Sequence, residues 1–211
     1  MSIPVKICGI TTLKDAELAV NYGASAVGFI FAKDSPRFID INYAKNWIND
    51  IPKNIKKVGV FVDEQIENIT KIVNDLQLDF IQLHGDESPQ FCTQMIKPVV
   101  KVFRIKDDFN PIVLNNYKVA AFLFDTYKKG TSGGTGEKFN WELIENVKTG
   151  IPIILSGGLN ALNILEGIKI VNPSAVDINS GVESSPGIKE EGKIKQIFNT
   201  LIDANGKNNF F

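Results

Sequence analysis

The 211-residue chain has few of the residues that build metal centres and covalent staples: one histidine and two cysteines. Cys8 and Cys92 alone make no disulfide framework, and a reducing cytoplasm is the expected setting. No CxxC, HxxxH or EF-hand spacing occurs, so no metal site is expected. Apolar runs are too short to cross a bilayer, which argues against a membrane partner. No basic, apolar, small-residue stretch opens the chain, so no secretory signal is expected. Neither sign of charge dominates: 23 Lys and Arg face 24 Asp and Glu, with no basic stripe to suit a nucleic acid. What remains is 44% hydrophobic and 22% charged, a composition that suits a soluble globular chain with a sizeable core.

Short β-branched runs alternate with segments of helical period. Strands are expected at 3–8, 26–31, 56–62, 79–84, 99–105, 120–125, 151–156 and 175–180. Helices are expected between them, as in QIENITKIVNDLQ, where Ile66, Ile69, Val73 and Leu76 share a face, and in KIKQIFNTLI, with Ile194, Ile197, Phe198 and Leu201. Thr12 followed by Asp15 reads as an N-cap with an acid at N3, and Gly23 as the stop of that helix. The stretch 109–117 reads as a reduced helix. Units of about 26 residues repeated eight times predict one α/β domain over 1–211, a closed (β/α)8 TIM barrel near the small end of that architecture. A doubly wound open sheet is the alternative, disfavoured by eight regular units without a composition break. The tail from about residue 204 is expected to fray.

In such a barrel chemistry sits at the C-terminal ends of the strands. Side chains alternate, so Lys6 and Cys8 share the inner face roughly 6–7 Å apart, and Asp177 and Asn179 do so on the last strand. Strands 1 and 8 are neighbours, which predicts a Lys6–Asp177 pair, because an unpaired interior charge is costly. Cys8 is either a small buried hydrophobe or a functional thiol at the mouth. Asp125 ends AAFLFD, either capping the next turn or poised as an acid or base, and the loop after it carries Gly130, Gly133, Gly134 and Gly136. Gly157 and Gly158, then Ser180 and Gly181, follow strands 7 and 8, where backbone N–H groups meet phosphate in barrels of this kind. Arg37 in SPRF forks onto a ligand carboxylate or sits on the surface. His84 in QLHGDE reads as a supporting residue, and Cys92 as helix-face packing.

Together the segments KICGIT, GFIF…SPR, QLHGDE, FDT…GGTGEKFNW, LSGGL and DINSGVESSPGIK, in this order from residue 6 to about 189, resemble phosphoribosylanthranilate isomerase, a family of tryptophan biosynthesis. The resemblance implies an Amadori rearrangement of N-(5-phosphoribosyl)anthranilate with no metal and no cofactor, in a monomer or homodimer. It places the general base on Cys8 and the general acid on Asp125. It also implies that Arg37 holds the anthranilate carboxylate and that the Ser-Gly loops hold phosphate. Glu190 after Lys189, and LNALN without a proline after strand 7, depart from the family pattern away from these positions.

The chemistry suits the residue types. Asp125 must carry a proton to open the furanose, which desolvation at an apolar strand end favours. Cys8 must lose one to take the sugar C2 proton, which Lys6 is expected to favour as far as Asp177 does not neutralise it. Another sugar-phosphate isomerase or lyase, or a barrel that only binds phosphorylated metabolites, are the rival readings. The former has no need of Arg37, and the latter no need of Cys8 with Asp125.

Overall fold

The computed structural model describes residues 3–125 and 141–201. The glycine-rich loop after Asp125 and the tail from about 204 both lie outside the described residues.

Eight strands follow one another in the places the apolar runs mark: β1 Val5–Ile7, β2 Ala26–Ile30, β3 Lys56–Phe61, β4 Phe80–Leu83, β5 Val99–Arg104, β6 Ala121–Asp125, β7 Ile153–Ser156 and β8 Ala175–Ile178. Each pairs in parallel with the next, and β8 returns to β1, so the sheet closes as a barrel. The open-sheet alternative is thereby excluded. No helix among the described residues is long and apolar enough to cross a membrane.

The outer layer holds α1 Leu13–Asn21, α2 Ile41–Lys45, α3 Ile66–Asp75, α4 Pro89–Cys92, α5 Glu142–Glu145, α6 Ile164–Val171 and α7 Glu191–Leu201. Thr12 caps α1 by accepting a hydrogen bond from the Asp15 N–H at 3.2 Å, as the sequence predicts. Past its end, Gly23 takes a positive φ of 108°, which only glycine adopts without strain. The reduced helix expected after β5 is a 3-10 segment, Pro111–Asn116, whose proline cannot continue an α-helical ladder from upstream. Ile69 and Val73 of α3, and Ile194, Ile197 and Leu201 of α7, are buried against the barrel. After β8 the chain makes a small hairpin, β9 Glu183–Ser185 with β10 Ile188–Lys189, before α7.

The strand registers stagger neighbours, so the inward side chains fall into layers drawn from alternate strands. The base is Ala26, Phe80, Ala121 and Ala175. Above it come Lys6, Val58, Val100 and Ile154, then Gly28, Gln82, Leu123 and Asp177, then Cys8, Val60, Val102 and Ser156. His84, Asp125 and Asn179 stand with Ile30 at the mouth. The lower interior packs as one apolar cluster. Polar groups enter from Lys6 upward and dominate the C-terminal end, which is where the site is built.

Candidate active site

Lys6 is a fully buried side chain, and its Nζ donates to Asp177 Oδ1 at 2.9 Å. Alternation on two adjacent strands predicts this pair, and the register delivers it, with Lys6 the Cα partner of Asp177. Burying an ammonium is costly, so the pairing is what permits it. Burial works against the Lys6 charge, but Asp177 and Cys8 outweigh it and raise the lysine above its ordinary range. The room comes from Gly28 on β2. A Cβ there would stand 2.8 Å from Cys8 Sγ and 2.9 Å from Lys6 Cε. Sequence reading passes over Gly28, although a glycine inside AVGFIF is the signal of a close approach.

Cys8 sits above this pair, 4% exposed. Burial pushes its thiol above the ordinary range; Lys6 pulls it down by charge and hydrogen bonding, and Asp177 works against Lys6. The net direction is upward: Lys6 favours the thiolate, as the sequence predicts, but burial outweighs it and Asp177 offsets part of it. The sequence shows the lysine beside the cysteine but not the desolvation that outweighs it.

Asp125 closes β6 with its side chain 21% exposed, so it is only partly withdrawn from water. His84 Nε2 lies 3.5 Å from Asp125 Oδ2, which gives the single histidine a place beside the carboxylate. The turn carrying His84 is held from beneath. Lys101 Nζ donates to the carbonyls of Leu83 at 3.4 Å and Gly85 at 2.7 Å, on either side of it, and to Glu87 Oε2 at 2.7 Å. Glu87 in turn accepts from the N–H groups of Gly85 and Asp63. This buried network joins the loops after β3 and β4 to β5, and sequence reading misses it because Glu87 lies in a loop, where alternation says nothing.

Arg37 does fork onto a carboxylate, but one belonging to the protein. Its Nε lies 2.9 and 3.0 Å from the two Glu183 oxygens, and its Nη2 donates to Oε2 at 2.6 Å. Lys189 Nζ reaches the same Glu183 at 2.8 Å and Asn179 Oδ1 at 3.1 Å. Burial opposes the Glu183 charge, yet Arg37 and Lys189 together hold it below the ordinary carboxylate range. Lys189 is lowered by burial, with Glu183 opposing. Gly9, with φ of 71°, lets β1 turn beneath this group: a Cβ would stand 2.6 Å from Asn179 Oδ1 and 2.9 Å from Arg37 Cδ.

The two Ser-Gly loops lie together at the mouth. Gly157 and Gly158 both have positive φ, 92° and 67°, and nothing among the described residues accepts from their N–H groups. Ser180 and Gly181 open a 3-10 turn, Ser180–Val182, with Gly181 packed against the Leu159 carbonyl of the other loop. Ser180 is exposed. Two loops with available backbone donors suit an anion. Cys92, the last residue of α4, packs into the apolar core from the helix face, as expected. No cluster of metal-ligating side chains exists among the described residues.

Residues 5–200 match the family model described as N-(5'-phosphoribosyl)anthranilate isomerase. A relative of that name from Geobacter metallireducens is 43% identical, over 92% of this chain and 96% of its own. The crystal structure of phosphoribosyl anthranilate isomerase from Thermotoga maritima superposes with a TM-score of 0.84 at 36% identity, covering 94% of this chain and 98% of that one. A further phosphoribosyl anthranilate isomerase, solved in complex with reduced 1-(o-carboxyphenylamino)-1-deoxyribulose 5-phosphate, reaches a TM-score of 0.80 at 33% identity, over 94% and 98% of the two chains. A barrel with a buried lysine–aspartate pair under a mouth thiol, matched over nearly its whole length, belongs to the N-(5'-phosphoribosyl)anthranilate isomerase family, enzymes of tryptophan biosynthesis.

Proposed function

We propose that the isomerisation of N-(5'-phosphoribosyl)anthranilate runs here between Cys8 as general base and Asp125 as general acid. The observation that carries this reading is their placement: a thiol on β1 and a carboxylate on β6, on opposite sides of one mouth, above an interior otherwise neutralised by the Lys6–Asp177 pair. Asp125 gives its proton to the furanose ring oxygen, and the aryl amine lone pair opens the ring to a protonated Schiff base. Cys8 as thiolate takes the C2 proton, and the C–H electrons form the enolamine, which tautomerises to the ketone. The new positive charge on the Schiff base adds to Lys6 in favouring the thiolate that burial alone disfavours. His84, beside Asp125, orients the acid.

The ends of the substrate are assigned by charge. The ligand of the related complex carries an aryl carboxylate and a phosphate. Phosphate suits the amides of Gly157 and Gly158 and the turn at Ser180 and Gly181. The carboxylate suits Arg37, whose Nε and one Nη2 hydrogen bond go to Glu183, leaving the other edge of the guanidinium for a ligand. The reading needs no metal or cofactor. Residues 1–211 are read as one cytoplasmic domain working as a monomer or homodimer; the Thermotoga maritima relative is described as dimeric, with monomers made from it.

The test is the loss of phosphoribosylanthranilate fluorescence on adding the purified protein. Decay well above the spontaneous rate is expected, and decay at the spontaneous rate contradicts the reading.

A further inference from the structure

The carboxylate of Glu183, on the hairpin after β8, has no part in the chemistry above. It is 6% exposed and accepts from Arg37, from Lys189 and from the Gly187 N–H at 3.2 Å. Its own carbonyl accepts from Lys193 Nζ of α7 at 2.7 Å. Nearby, Thr11 Oγ1 donates to the Gly187 carbonyl at 2.6 Å, so the loops after β1 and β2 are both fastened to the β9–β10 hairpin. A flexible arginine at a strand mouth samples many rotamers, and ordering it on ligand binding opposes affinity. Glu183 removes that freedom in advance by fixing the plane of the guanidinium through two of its nitrogens. Lys189 keeps the charge balance open to an anion. Arg37 and Lys189 carry two positive charges against the single negative charge of Glu183, so the group is left with one net positive charge for an incoming carboxylate to match.

We propose that Glu183 is the positioning residue for Arg37, and that it thereby sets the preference for a substrate bearing the aryl carboxylate. The proposal rests on the reading that Arg37 holds that carboxylate. Glu183 also follows directly on the Ser180–Val182 turn and caps it, its N–H donating to the Ser180 carbonyl, so the same residue ties the carboxylate subsite to the phosphate loop.

The experiment compares kcat/KM for N-(5-phosphoribosyl)anthranilate with that for N-(5-phosphoribosyl)aniline, which lacks the carboxylate. The native protein is expected to prefer the former by about 10- to 100-fold, the range of one charge-assisted pair. Glu183→Gln is expected to reduce that ratio to within about threefold of unity, the loss falling mainly on the carboxylate-bearing substrate. Arg37→Ala should remove the ratio as well, and adding Glu183→Gln to it should remove nothing more. A Glu183→Gln protein that loses both substrates equally and keeps the ratio overturns the inference and leaves the Arg37 reading in place. An Arg37→Ala protein that keeps the ratio overturns the Arg37 reading and the inference with it. Arg37→Lys supplies the same test where Glu183→Gln does not fold. It keeps the charge but cannot make the fork to Glu183, so the ratio should fall by most of its value, and a full native ratio overturns the inference.

Discussion

The two cysteines occupy environments built from the same parts. Cys8 lies beside a buried lysine–carboxylate pair, Lys6 with Asp177, and Cys92 lies beside another, Lys101 with Glu87. Burial pushes both thiols up, the nearby lysine pulls each down, and the nearby carboxylate opposes the lysine. The difference is where the parts point. Lys6 faces into the barrel, where Gly28 clears space for it and for Cys8 beneath the mouth. Lys101 lies under the loop after β4 and spends its donors on the carbonyls of Leu83 and Gly85, while Cys92 is enclosed in the outer apolar layer. A thiol with a cation beside it is therefore no sufficient mark of a catalytic base; the two are equally buried, and position inside the barrel rather than in the outer layer separates them.

The largest effect is expected at the other end of the proposed proton path. Asp125→Asn should lower turnover by about 10²–10⁴-fold, the usual range for a positioned acid, while leaving KM less affected. Steady-state kinetics in the fluorescence assay check this, and near-native turnover removes Asp125 from its role.

Next come the two lysines. Lys6→Met and Lys101→Met each strand a buried carboxylate, so each should lower stability by about 3–5 kcal/mol in urea titration. They should differ in kinetics. Lys6 favours the Cys8 thiolate, so its loss should move the ascending limb of kcat/KM to higher pH, whereas Lys101→Met should leave that limb in place. Equal pH profiles for the two variants would erase the distinction between the two regions.

Alkaline stability tests Cys92 from the other side. Its thiol is raised from 9.0 to about 11 in the fold, so the folded state holds the proton longer than the unfolded one. Its contribution is whole below pH 9 and is lost as the pH rises through about 11, a change of about 2–3 kcal/mol. Cys92→Ala should flatten that part of the stability profile, as followed by denaturation at pH 8 to 11. The smallest change is Gly28→Ala. Its Cβ crowds Cys8 and Lys6, for about 1–3 kcal/mol of stability, and turnover should fall because the thiol must move.

Most of the frame was legible in the sequence because parallel strands buried on both faces leave continuous apolar runs, and alternation then sorts each strand's residues into inner and outer. Lys6, Cys8, Asp177 and Asp125 were found that way. Glu183, Lys189, Glu87 and Gly85 were not, since they act from loops and a hairpin whose partners are distant in sequence and follow no period. Arg37 was found, but its partner in the structure was not. The net direction at Cys8 is not legible for a related reason: neighbours along a strand are visible in sequence, while the degree of burial depends on the other seven strands. The loop of Gly130, Gly133, Gly134 and Gly136 lies outside the described residues.

The most direct test of the account compares the decay of phosphoribosylanthranilate fluorescence in Cys8→Ala and Cys92→Ala under the same conditions. Turnover is expected to be lower by about 10²–10⁴-fold in the first and within about twofold of native in the second. Equal turnover in the two proteins, at either level, would contradict the assignment of Cys8 as the base.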